Sequence, residues 1–196
     1  MQSDSQNALK AAIVRKVTAL PKLSKIQVDP PVKERGSFHF QVNLSAKAAL
    51  EEGYLKTATV QANVPGCGAF ELLCDEGTII GGADSAPAPL DYLSAGIAFC
   101  FLSHISIYIN QNKLDVESVK IEQQMRFKAE VYKMQECTDT PPKGVCEGVE
   151  TVVFVKSAES REAIERMVGV CRAACMGLQT VVNAVPARIT LAFNES

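Results

Sequence analysis

The stretch "PLDYLSAGIAFCFLSHISIYI", residues 89–109, is apolar almost throughout and far too long for a buried strand. It predicts a long helix against which the rest of the chain has to pack. Ser94, Ser103, His104 and Ser106 interrupt its apolar part, which makes it slightly short and too polar for a membrane span. What flanks it reads as strand. "SFHFQVNLS" alternates, with Phe38, Phe40, Val42 and Leu44 on one side and His39 among the polar residues on the other. "TATVQANV" and "AFELLCDE" follow, joined by a turn at "PGCG", and the Gly-rich "GTIIGGADSAPAPL" leads into the helix.

After the helix come two further strand patterns, "VESVKIEQQMRFKAEVYKM" and "GVETVVFVKS". The loop between them, "QECTDTPPKGVCE", carries two prolines that forbid regular pairing. A second helix is expected from about Ser157 to Val182, and a last strand at "ARITLAF". At the N-terminus, Ala8, Leu9, Ala12, Ile13, Val17 and Leu20 fall on one helical stripe before Pro21, predicting an amphipathic leader helix over residues 3–20. The order is helix, three strands, long helix, two strands, helix, strand, without regular alternation. It favours an α+β fold, with helices packed on one face of a largely antiparallel sheet.

The 196 residues suit a single domain, or one domain with an extension. Twenty Lys and Arg against 22 Asp and Glu leave a net charge of −2, without the basic stripe that nucleic acid requires. "MQSDSQNALKAAIVRKVTALPKL" lacks the apolar core of a secretory signal, so a soluble, cytoplasmic protein is expected, with neither nucleic-acid nor membrane partners. Seven cysteines, an odd number without regular spacing, argue against a secreted disulfide framework.

Two helices carry the cysteines that matter. Each helical residue turns about 100°, so His104 lies about 40° round from Cys100 and the imidazole can approach the thiol. The same arithmetic sets Cys171 and Cys175 on the core-facing stripe of the second helix with Ile164, Met167, Val168 and Leu178. Buried cysteine is a common small hydrophobe, and a lone histidine on an apolar face is more often a hydrogen-bonded core residue than a base. Two other uses stay open: a reactive thiol, which needs a nearby positive charge or a helix N-terminus, and a zinc site drawn from Cys171, Cys175 and His104.

"IGGADSAPAPLDYLSAGIAFCF" resembles the signature of the OsmC-like family, which comprises osmotically inducible proteins and organic hydroperoxide resistance proteins. "NKLDVESVKIEQQMRF" resembles the strand that follows the family's first cysteine helix, and "AESREAIERMVGVCRAACMGLQTV" its second cysteine helix. The resemblance covers residues 36–196, the OsmC-like domain, and leaves 1–35 as an N-terminal helical extension. It implies an intertwined homodimer of α+β subunits that reduces organic hydroperoxides. Cys100 then matches the peroxidatic thiol and Cys175 the resolving thiol, a dithiol reductant restores the pair, and neither a cofactor nor a metal is required.

In the family an arginine lowers the first thiol's pKa and a glutamate orients it. The best match to the arginine is Arg35 in "KERGSF", with Arg126 and Arg172 as alternatives that also read as solvated surface charges. Leu90 stands ten positions before Cys100, where the glutamate belongs, and the neighbouring carboxylate is Asp91. Asp91 falls about 180° round an ideal helix from Cys100, so it replaces the glutamate only if the helix begins irregularly. Where the family often has Cys-Pro, this chain reads Cys175-Met176. The substituted glutamate supports a second expectation, an OsmC-like protein without peroxidase activity that binds a small hydrophobic ligand at the dimer cleft. A third is a structural dimer with inert core cysteines.

Overall fold

Branched side chains suit a pleated surface, and Thr57, Thr59 and Val60 in "KTATVQA" give the first part of the chain a central strand. In the computed structural model, which describes residues 12–18, 23, 26, 41–129 and 142–193, the chain divides into two units, Met1–Tyr92 and Leu93–Ser196. In the first unit β1 (Val14–Val17), β2 (Leu44–Leu50), β3 (Lys56–Ala62) and β4 (Ala69–Cys74) form an antiparallel sheet in the order β1-β4-β3-β2.

The expected N-terminal helix is corrected where it is described: residues 14–17 are a strand paired with β4, with Arg15 opposite Glu71 and ion-paired to it. A ladder of hydrogen bonds along an open sheet edge overrides a weak helical stripe. β2 lies later than the alternation suggested, beginning at Leu44, while residues 41–43 are irregular and Phe38, His39 and Phe40 lie outside the described residues. Its pattern there is "LSAKAAL", whose pairing with β3 supplies the order that alternation does not.

A Gly-rich loop leaves β4 and is tied down by one residue. Asp75, 2 % exposed, accepts hydrogen bonds from the Ser85 hydroxyl at 2.7 Å and from the N–H groups of Glu76, Ser85 and Ala83 at 2.8, 3.1 and 3.2 Å. Those donors, the Ser85 hydroxyl foremost, hold its carboxyl down to about pKa 2. Gly82 permits the tight return, since a Cβ there would sit 1.9 Å from the Glu76 carbonyl oxygen. The loop ends at α1 (Pro89–Asn112), where Pro at the first helical position fits its fixed φ. In the first turn Asp91 Oδ2 accepts from the Ala88 N–H at 3.0 Å, and the Tyr92 hydroxyl donates to the Leu73 carbonyl.

The second unit holds the rest of α1, the antiparallel pair β5 (Val116–Ala129) and β6 (Gly144–Ser157), and the helices α2 (Arg161–Ala174) and α3 (Met176–Val182). Alternation along β5 and β6 puts Val119 opposite Val155, Ile121 opposite Val153 and Met125 opposite Val149 on the inner face. β6 starts earlier than expected, at Gly144, taking in residues expected in the proline loop; of the two prolines, Pro142 lies in irregular chain just before the strand and Pro141 lies outside the described residues.

Phe101, Ile105, Met167, Cys171 and Cys175 form the buried cluster of this unit, with Val119, Ile121, Val153 and Val155 packed against it. Burial of an Ile, Phe or Met side chain stabilises by about 1.5–3 kcal/mol, so these contacts are the main adhesive between helices and strands. By length and composition α1 is long and apolar enough to cross a membrane, contrary to the sequence reading, because its serines sit among strongly apolar neighbours. Ser103 Oγ donates to the Phe99 carbonyl, which satisfies the hydroxyl within the helix. Residues 187–193, expected as a strand, pair with nothing among the described residues and leave Ile189, Leu191 and Phe193 largely exposed.

Candidate functional site

The single long helix expected over 157–182 is two helices. Ser160 caps the first by accepting from the Ala163 N–H, and the helix ends at Cys175, whose backbone is extended at φ −68° and ψ 100°. Cys175 then starts α3, its sulfur accepting from the Leu178 N–H at 3.4 Å. Across this break Cys171 and Cys175 still face the core with Ile164, Met167, Val168 and Leu178, as the stripe arithmetic expects, and Cys175 also lies beside Cys100 of α1.

Three ligating atoms result, one each from Cys100, His104 and Cys175, and all lie within 4.8 Å of one another. Cys171 does not join them, so the zinc grouping of Cys171, Cys175 and His104 is replaced by one in which Cys100 takes the place of Cys171. Cys175 is fully buried, whereas Cys100 and His104 are half-buried. The Gly177 N–H donates to Cys100 Sγ at 3.4 Å. A side chain at Gly177 would be pressed against α1, its Cβ 3.1 Å from Cys100 Cβ and 3.3 Å from Ile97 Cα. Glycine at this position is what lets α3 and α1 approach closely enough for the thiols to meet. Nothing in the sequence reading singled it out, although an isolated glycine in a helical pattern is the signal for a close approach.

His104 lies 3.9 Å from Cys100 Sγ through Nδ1, and the same nitrogen is 2.8 Å from the Cys100 carbonyl oxygen. A carbonyl only accepts, so Nδ1 carries the hydrogen and is spent on the helix backbone, leaving the lone pair on Nε2. The imidazole therefore cannot deprotonate Cys100 through Nδ1 while that bond is made. Burial pushes the Cys175 thiol up from its ordinary pKa, opposed by the Leu178 N–H and reinforced by the neighbouring Cys100. Burial alone pushes the Cys171 thiol up. Cys171 packs in the core cluster as a small apolar residue.

The other residues singled out fall elsewhere. Arg35 lies outside the described residues. Asp91 belongs to the first unit, its carboxylate engaged at the start of α1, which is helical from Pro89 onward. Arg126 pairs with Glu150 at 2.8 Å across the exposed β5–β6 ladder, the surface-charge alternative. Arg172 is exposed on α2 beside a cleft of ≈ 600 Å³ that Phe101, Val153, Val168, Leu178 and Val182 also line.

The family model described as "OsmC-like protein" matches residues 82–190, more than half of the chain and inclusive of both site cysteines. The chain belongs to the OsmC-like family. An osmotic stress induced and detoxification response protein from Psychrobacter arcticus, so described provisionally, is 14% identical with a TM-score of 0.51, over 74% of this chain and 92% of that one. An OsmC-like hydroperoxide resistance protein from Jannaschia sp. CCS1 is 20% identical with a TM-score of 0.48, over 79% and 95%. An organic hydroperoxide resistance protein OsmC from Legionella pneumophila is 21% identical with a TM-score of 0.47, over 71% and 88%. Among curated proteins no relative matches the sequence. The family match begins at Gly82, in the loop that Asp75 anchors.

Proposed function

We propose that this protein reduces organic hydroperoxides with Cys100 as nucleophile and Cys175 as resolving thiol. The observation that carries the reading is the approach of one half-buried and one fully buried thiol within 4.8 Å, in a chain of the OsmC-like family. In the first step the Cys100 thiolate attacks the terminal oxygen of ROOH. The O–O bond breaks, sulfur is oxidised to sulfenic acid, and the leaving alkoxide takes a proton to give the alcohol. In the second step the Cys175 sulfur displaces hydroxide from Cys100, which leaves as water, and a disulfide forms. A disulfide needs the sulfurs about 2.05 Å apart, so the pair has to close by side-chain rotation. A dithiol reductant returns both thiols.

Arg35 is the arginine of this reading, promoting the Cys100 thiolate, and Asp91 serves it by holding the start of the Cys100 helix. A homodimer also belongs to it, supported by the uncovered apolar residues Phe99 and Ile107 of α1, 67% and 52% exposed. The test is peroxide consumption with a dithiol reductant, followed by mass mapping of the oxidised cysteines. Wild type should consume cumene hydroperoxide and show a Cys100–Cys175 linkage; Cys175→Ser should stop at a trappable sulfenic acid. Full consumption by Cys100→Ser refutes the reading.

A second reading rests on the ≈ 600 Å³ cleft with apolar walls and Arg172 at hand, which suits a small hydrophobic ligand in a protein without peroxidase activity. It expects a ligand in native mass spectra of the purified protein that Val168→Trp removes.

A further inference from the structure

We propose that Cys100, His104 and Cys175 form a reversible binding site for a thiophilic divalent cation, zinc above all, with a fourth position open to water. The site uses the same thiols as the peroxidase reading, but metal binding does not require that reading to hold.

Geometry is the first support. A tetrahedral zinc with Zn–S of about 2.3 Å and Zn–N of about 2.0 Å sets its sulfurs about 3.8 Å apart and sulfur and nitrogen about 3.5 Å apart. Here one ligating atom from each of the three residues lies within 4.8 Å of the other two. The contraction required is at most about 1 Å between the sulfurs and about 1.3 Å between sulfur and nitrogen. Both sulfurs already accept backbone N–H bonds, Cys100 from Gly177 and Cys175 from Leu178, a set of donors suited to thiolates.

The tautomer is the second support. Metal-bound histidine ordinarily donates its other ring N–H to a carbonyl or carboxylate, which fixes the ring and leaves one lone pair for the metal. His104 already has that arrangement, with Nδ1 on the Cys100 carbonyl and Nε2 unprotonated. Binding through Nε2 requires the ring to rotate until that nitrogen meets the sulfurs.

The ligand set is the third. Two thiolates balance the charge of a divalent cation, and three protein ligands leave the open position typical of a non-structural site. Binding releases two thiol protons, so it weakens as pH falls. Conversion of the pair to a disulfide removes both anionic ligands, so oxidation and metal binding are mutually exclusive: two metal-bound thiolates, ROOH and two protons from solvent give a disulfide, ROH and water, and the cation is set free.

The test is titration of the full-length, fully reduced, chelator-stripped protein with Co²⁺ in the absence of oxygen. The expected result is one Co²⁺ per chain, with thiolate-to-cobalt charge-transfer bands and the strong visible bands of tetrahedral cobalt, displaced by Zn²⁺. Cys100→Ser and Cys175→Ser should each weaken binding about tenfold or more, His104→Gln should do likewise, and the disulfide form should give no bands. The surface double variant Cys67→Ser/Cys146→Ser should keep them. Absence of charge-transfer bands in the wild type, or their survival in both site variants, overturns the proposal. Peroxide consumption measured separately with chelator present keeps the two readings apart: cobalt bands without turnover defeat the peroxidase reading alone, and turnover without bands defeats this one alone.

Discussion

Replacing Gly177 by alanine sets two opposed effects against each other. Alanine is the better helix former, by about 0.8–1 kcal/mol in a helix interior, and Gly177 is the second residue of α3, so about half of that is a fair allowance. Against it stands overlap. The new Cβ would lie 3.1 Å from Cys100 Cβ and 3.3 Å from Ile97 Cα, whereas carbon atoms rest about 3.5–4.0 Å apart. Both neighbours are fixed to the α1 backbone and neither can rotate away, so α3 has to retreat by several tenths of an ångström. Forced overpacking of this kind costs about 1–3 kcal/mol, which exceeds the propensity gain and gives a net loss of about 1 kcal/mol or more. The retreat also lengthens and weakens the 3.4 Å Gly177 N–H···Sγ contact. Urea unfolding measures the first effect, and the rate of Cys100–Cys175 disulfide formation, expected to fall, measures the second. Gly169→Ala in α2 is the control: its Cβ meets nothing within 4 Å, so stability should rise by about 0.5–1 kcal/mol. If Gly177→Ala is as stabilising as the control and forms the disulfide at the wild-type rate, the close-approach argument is wrong.

Met167, fully buried between α2 and the inner strand face, should cost about 2–5 kcal/mol when cut to alanine, read as a lower urea midpoint at unchanged slope. Asp75 gives the fold an acid dependence: its folded pKa of about 2 lies below the ordinary 3.8, so its stabilisation is complete above about pH 4 and is lost as pH falls toward 2. Asp75→Asn should lower stability at neutral pH and flatten that part of the profile; an unchanged slope of stability against pH between 4 and 2 would refute the assignment. The homodimer proposed above expects Phe99→Asp, on the uncovered side of α1, to sediment as a smaller species than the wild type.

Much of the architecture was legible because it depends on period. β3, β4, β5 and α1 follow from alternation or from an unbroken apolar run, and the α+β class follows from their order. What misled was evidence that lives in pairing and in single backbone angles. Residues 14–17 carry a plausible helical stripe, yet β4 offers them a ladder. The alternation before Leu44 looked like the strand, yet "LSAKAAL" takes the place because β3 lies opposite. At Cys175 a ψ of 100° breaks a helix whose side-chain pattern runs straight through the break. Family resemblance singled out Cys100 and Cys175, which the structure brings together, whereas the close approach at Gly177 and the grouping of Cys100 rather than Cys171 with His104 and Cys175 were not legible. Asp75 was missed, although an acid ahead of a Gly-rich loop is a fair signal for an anchor that binds loop N–H groups.

The two thiols buried with Met167 show why a cysteine count does not report chemistry. Cys171 and Cys175 are four residues apart and equally hidden, and burial raises both. Only Cys175 sits at a helix break, where its sulfur accepts a backbone N–H and faces a second thiol; Cys171 has an unbroken turn of helix around it and apolar neighbours. A core thiol therefore becomes a partner in chemistry here through local backbone geometry rather than through exposure. Cys100 supplies the complementary property, reach from solvent, because it lies on the half-buried flank of α1 while Phe101 next to it fills the core. One accessible sulfur and one sheltered sulfur, held together by a glycine contact, suit a sequence in which an incoming oxidant or cation meets Cys100 first and Cys175 completes the bond.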